Sequence, residues 1–234
     1  MSSRKLTRSI IVGAAAIAVA GGSYGIVAAT SGSGTAAAST SVAAGPVSGG
    51  GGSNARSGPA AGGAAGTVDS VSTSGFTLTT SAGQKVTVKE ASSTTYQKQA
   101  SPASPSAITT GESVLVLGTT SSTTITATQV TVQPAGTDTA AAATAAGVVP
   151  FQQGAQSTTK QDGQIPANYS QGSGTIVSGT AATKATEAAL ADYPGGVVDR
   201  VVQLSNGDYE VHYIGVNWPH HVFVNQDFKV VGAD

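Results

Sequence analysis

The chain has 234 residues and a formal net charge of -1, with only 10% charged and 5% aromatic residues. So few bulky apolar side chains cannot offset the ordering entropy of one large core, so two small folded regions in flexible surroundings are expected. The near-zero charge excludes a global field that draws the chain to nucleic acid, and the lack of cysteine excludes disulfides, thiolate metal sites and a lipidated N-terminal cysteine.

Residues 1–30 read as an export element. Arg4, Lys5 and Arg8 precede an uncharged apolar run from Ser9 to Thr30, which orients the N-terminus towards the cytoplasm. Ile10 to Ala29, at ~1.5 Å per residue, spans ~30 Å, enough for the hydrocarbon core. A single-pass anchor with an extracellular C-terminal part is expected. The small residues Val27-Ala28-Ala29 leave open cleavage after Ala29 and secretion. Residues 31–63 are rich in Gly, Ser, Ala, Thr and Pro and read as a flexible tether.

Residues 64–133 alternate with period two. Thr67 to Val71, Phe76 to Thr79, Val86 to Val88 and Ile125 to Val132 read as half-buried strands, and Ser113 to Gly118 as a strand buried on both faces. An all-β small barrel follows, OB-like or a meander, with the loop Gln97 to Ala107 covering one end. Gly66-Thr67-Val68, Gly75-Phe76-Thr77-Leu78, Thr94-Thr95-Tyr96, Gly111-Glu112-Ser113-Val114 and Ile125-Thr126-Ala127, in that order, give the region a resemblance to the exported bacterial family DUF5666. The resemblance implies a small barrel and an envelope location, and no reaction. Residues 134–179 read as a second low-complexity linker, which lets the two folded regions move independently.

Residues 180–234 read as a small α+β module, a helix packed on an antiparallel sheet. Ala182, Thr186, Ala189, Leu190 and Tyr193 share a helical face, and Pro194-Gly195-Gly196 ends the helix. Val197 to Leu204 and Asp208 to Ile214 flank Asn206-Gly207, a two-residue hairpin signal. That turn pairs Leu204 with Tyr209, Val202 with Val211 and Arg200 with Tyr213. It places Val202, Leu204, Tyr209, Val211 and Tyr213 under the helix, and Asp199, Gln203, Glu210 and His212 on a polar outer face. His221 to Val224 and Phe228 to Val231 extend the sheet. Helix, Tyr-Pro-Gly-Gly, Val-x-x-Val, Asn-Gly-Asp-Tyr-Glu-Val, Val-Phe-Val-Asn and Asp-x-x-Phe-x-Val resemble the PepSY family. This implies an exported or membrane-tethered module that restrains peptidases or senses the envelope environment. The segment Gly215 to His221 departs from the short charged turn of that pattern.

No motif specifies a catalytic or cofactor-binding constellation, so the expectation is a protein that is not an enzyme and carries no cofactor. His212, His220 and His221 are the three histidines present. They are metal-ligand candidates by type, but strand alternation sends His220 and His221 to opposite faces, so exposed polar histidines are expected instead. Trp218, the one tryptophan, either caps the small core or joins His220 and His221 as a partner-binding loop. The expected function is a non-enzymatic envelope protein that binds or regulates an envelope partner through its PepSY-like module. The alternatives are a peptidase inhibitor acting in trans and a metal-responsive envelope sensor using His212, His220 and His221.

Overall fold

The computed structural model describes residues 58–137 and 161–234. The expected anchor or signal helix lies outside the described residues, as do residues 31–57 of the first expected linker and 138–160 of the second. Among the described residues, no helix is long and apolar enough to cross a membrane.

The first region contributes β1 (Ala60–Ser72), β2 (Gly75–Thr79), β3 (Lys85–Lys98), β4 (Ser101–Pro102), β5 (Ser113–Ser121) and β6 (Thr124–Val132). Five of them close a barrel in the order β1-β2-β3-β6-β5 and back to β1. All pairings are antiparallel except β3 with β6, which excludes a meander. Period two explains the core: Val86 and Val88, Val114 and Val116, Ile125 and Ala127, and Val130 and Val132 all point inward. An irregularity in the β5–β6 register lets both Ala127 and Val130 face the interior although they are an odd number of positions apart. The loop expected at the barrel end is partly strand, since β3 runs on to Lys98 and turns back in β4. Ala107 and Ile108, at the end of a 3-10 turn, still pack into the barrel core.

The second region contributes β7 (Asp162–Gly163), β8 (Thr175–Ile176), helix α1 (Gly179–Asp192), β9 (Val197–Gln203), β10 (Tyr209–Ile214), β11 (His221–Val224) and β12 (Val230–Ala233). Helix α1 lies on one face of β9–β12. It buries Ala182, Ala185, Ala189 and Leu190 against Val198, Val201, Val211, Tyr213, Val222 and Val224. Small residues on the helix allow close approach to the β-branched face of the sheet.

The two regions do not move independently, because they share a sheet. Strand β1 starts at Ala60, inside the range read as tether, and pairs with β5 along one edge. Its other edge pairs with β9 at Gly63↔Val198 and Ala64↔Val197, then with β2 from Thr67 onwards. Leu115 on the outer face of β5 packs against the helix-side core, and Val197 and Ile214 pack against the barrel core. Gly62 permits the junction: a Cβ there would overlap the Val198 carbonyl oxygen and stand 2.8 Å from Thr120 Oγ1.

The β9–β10 hairpin also corrects the expected register. Gly207 N–H donates to Leu204 O at 3.0 Å, Leu204 N–H donates to Asp208 O at 2.8 Å, and Gly207 sits at φ +90°. This is a three-residue loop with glycine in the left-handed position. Tyr209 therefore pairs with Gln203, and Val211 with Val201. A one-residue slip moves side chains to the other face. Val202 and Leu204 thus lie away from the helix, in a small outer core with Phe223 that Ile165, Tyr169 and Ile176 cover.

Candidate metal centre

Of the residues expected on the polar face of the module, Glu210 and His212 are buried, Asp199 is half-buried and Gln203 is exposed. His212 on β10 pairs directly with His221 on β11. Opposed residues of an antiparallel pair share a face, with Cβ atoms about 4.5–5.5 Å apart. His220 precedes β11, where simple alternation would turn its ring away. Instead the N–H groups of His220 and His221 both donate to the backbone oxygen of Asp234, at 2.7 and 2.9 Å. Two residues facing one is a β-bulge arrangement, and a bulge re-aims side chains.

A second irregularity supplies the carboxylate behind the cluster. The β9–β10 register shifts between His212 and Tyr213, so that His212 pairs with Arg200 while Tyr213 pairs with Val198. Asp199 is the extra residue, and its Oδ1 lies 2.5 Å from His212 Nδ1. Its Oδ2 accepts from Arg200 Nη1 at 3.1 Å. The carboxylate thus partly offsets the Arg200 guanidinium beside the cluster.

The ring centroids of His212 and His220 are 4.5 Å apart, those of His220 and His221 5.0 Å, and those of His212 and His221 5.3 Å. One ring nitrogen from each lies within 4.8 Å of the others. Nitrogens bound to a tetrahedral zinc stand about 3.3 Å apart, so each ring needs to close by under ~1 Å. His212 and His221 are only 3% and 6% exposed, and Nε2 of each is buried and forms no hydrogen bond within the protein. Burial, reinforced by His212, lowers the pKa of His220. Burial also pushes His221 down to about 3, with repulsion from His220, His212 and Arg200 adding to it. The neutral imidazole is the form that ligates metals.

Glu210 lies two residues before His212 on the same face and is 2% exposed. Its Oε1 is 3.5 Å from His221 Nε2. Tyr169 packs over the group, with its ring 5.8 Å from that of His221 and 4.7 Å from that of Phe223.

No family model matches this chain, and no curated protein or solved structure matches it. The chemistry of the cluster is therefore read from its geometry.

The expected exposure of the histidines is overturned: the structure joins all three in a half-enclosed group. Trp218 does not join them. It is 3% exposed and sits in the helix-side core, edge-on to Tyr193 at 6.2 Å. The buried indole caps the core, the first of the two expected roles, and His220 is the half-buried member of the expected loop of Trp218, His220 and His221. Asp199 and Glu210 were visible only as acids on an outer face. No residue signal marks the two bulges that bring them to the histidines.

Proposed function

We propose that the chain is a non-enzymatic envelope protein that binds a divalent first-row transition metal at His212, His220 and His221. It acts as a metal-responsive module on an exported or membrane-anchored chain. One observation carries this reading: three imidazoles converge, and His212 is held from behind by Asp199. If Nδ1–H of His212 donates to that carboxylate, the Nε2 lone pair faces the cluster, which is the second-shell arrangement of metal-ligating histidine.

Magnitudes favour this over ring packing alone. Edge-to-face ring pairs contribute about 0.5–1.5 kcal/mol each. A buried ring nitrogen left without a partner costs about 1–3 kcal/mol, and His212 and His221 each carry one. A bound metal satisfies both nitrogens together. Imidazole donors without sulfur suit zinc, copper(II), nickel or cobalt better than soft copper(I).

The remaining parts fit a holding or reporting role. The order of helix, Pro-Gly-Gly turn, hairpin and closing strands agrees with a PepSY-like module. The strand order β1-β2-β3-β6-β5 with one parallel pair agrees with an OB-like barrel. An anchor at residues 10–29 would place the module near partners in the same membrane, where effective concentration favours weak contacts.

Equilibrium dialysis of the full chain against zinc and copper(II) tests the reading. It predicts one ion per chain, lost when His212, His220 and His221 are all changed to alanine. Equal uptake by that variant, or no uptake by the native chain, overturns it.

A further inference from the structure

We propose that Glu210 is the fourth ligand of this centre, making it a three-imidazole, one-carboxylate site for a divalent ion. The inference rests on the metal reading above and goes beyond it by naming the anionic ligand.

Glu210 and His212 are next-but-one neighbours on β10, so both side chains leave the same face. His221 is opposite His212, and Phe223 is opposite Glu210. The Glu210 carboxylate therefore reaches diagonally towards His221, and Oε1 comes to 3.5 Å from His221 Nε2. That nitrogen is buried and makes no hydrogen bond. Charge-assisted N–H···O bonds are shorter, about 2.7–2.9 Å. Two donors on adjacent corners of a zinc tetrahedron stand about 3.3 Å apart. The separation matches a shared ion better than a direct hydrogen bond.

The surroundings of the carboxylate support the same assignment. Glu210 lies between Val202 on β9 and Phe223 on β11 in register, and both of those residues belong to the apolar outer core. Buried carboxylates in apolar surroundings are paired or bound to metal. Three neutral imidazoles leave a divalent ion its full charge, and one carboxylate halves it. Such a mixed nitrogen and oxygen set favours zinc, cobalt, nickel or copper(II), and disfavours ions that demand all-oxygen shells.

Cobalt(II) is the probe, because its visible bands report coordination number. The full chain should bind one cobalt(II) with the intense bands of a four-coordinate site. Glu210→Gln, nearly isosteric, should lose at least ~10-fold in affinity, beyond the lower end of outer-shell effects, with weaker, shifted bands as water replaces the carboxylate. A Glu210→Gln chain with native affinity and native bands overturns the assignment even if it changes the stability of the metal-free chain. If Glu210→Gln fails to fold, the native chain still decides: adding zinc should shift one carboxylate stretch in the infrared difference spectrum, and no such shift overturns the assignment. A native chain that binds neither ion sinks the metal reading itself, whereas binding without a contribution from Glu210 sinks only this inference.

Discussion

Asp199 Oδ1 lies 2.5 Å from His212 Nδ1, on a residue that the β9–β10 irregularity leaves without a partner in the strand register. The contact orients the imidazole and keeps the counter-charge of Arg200 close by, at 3.1 Å from the other carboxylate oxygen. Replacing Asp199 by alanine should therefore lower zinc affinity by about 10–100-fold, as expected for an outer-shell carboxylate. Competition with a chromophoric chelator measures this. An affinity unchanged in Asp199→Ala would mean that the carboxylate does not orient a ligand.

The junction between barrel and module gives a second prediction. A methyl group at position 62 overlaps the Val198 carbonyl oxygen, so Gly62→Ala must push β1 away from β9. Overpacking of this kind costs about 1–3 kcal/mol. Calorimetry should show the native chain unfolding in one transition and Gly62→Ala in two, the module melting first. A single transition with an unchanged midpoint would show that the shared sheet does not couple the two parts.

Trp218 is buried against Tyr193 in the helix-side core. Trp218→Ala should destabilise the module by about 3–5 kcal/mol, the range for a large aromatic removed from a core. Urea unfolding followed by circular dichroism measures it. A loss under about 0.5 kcal/mol, typical of a surface site, would contradict this placement.

The metal-free chain should lose stability in mild acid. His221 is held down to about 3 from 6.5, chiefly by burial and then by repulsion from His220, His212 and Arg200. His220 is lowered in the same direction. Below about pH 6.5 the unfolded state takes up these protons while the folded state resists, so stability falls as pH drops towards the folded value. Glu187 and Asp192, raised by burial, act with the opposite sign, so the useful comparison is with a His221→Gln chain. The native chain should have a lower urea midpoint at about pH 5 than at about pH 7, and His221→Gln a smaller difference. Equal differences in the two chains would contradict the buried, neutral His221.

Most strands were legible because alternation survives in the residues themselves, as in Val86-Thr87-Val88 and Ile125-Thr126-Ala127. The helix was legible from Ala182, Thr186, Ala189 and Leu190, all of which are buried. The β1–β9 junction was not, because Ala60 to Gly63 is composed like a tether and only tertiary contact makes it a strand. Its small residues are what allow backbones to meet there, as Gly62 shows. Asn206-Gly207 located the hairpin but not its register, since the loop takes Ser205 as well and slips Val202 and Leu204 to the outer face. The histidine group was hidden by the period-two rule itself. The rule assumes a regular strand, and the paired donations of His220 and His221 to Asp234 break that regularity where the site forms.

The most direct test of the metal reading follows the ring resonances of the three histidines by NMR while zinc is added to the full chain. The account predicts that the signals of His212, His220 and His221 shift together and stop shifting at one equivalent. Signals that stay in place, or that move singly without saturating, would contradict a shared metal centre.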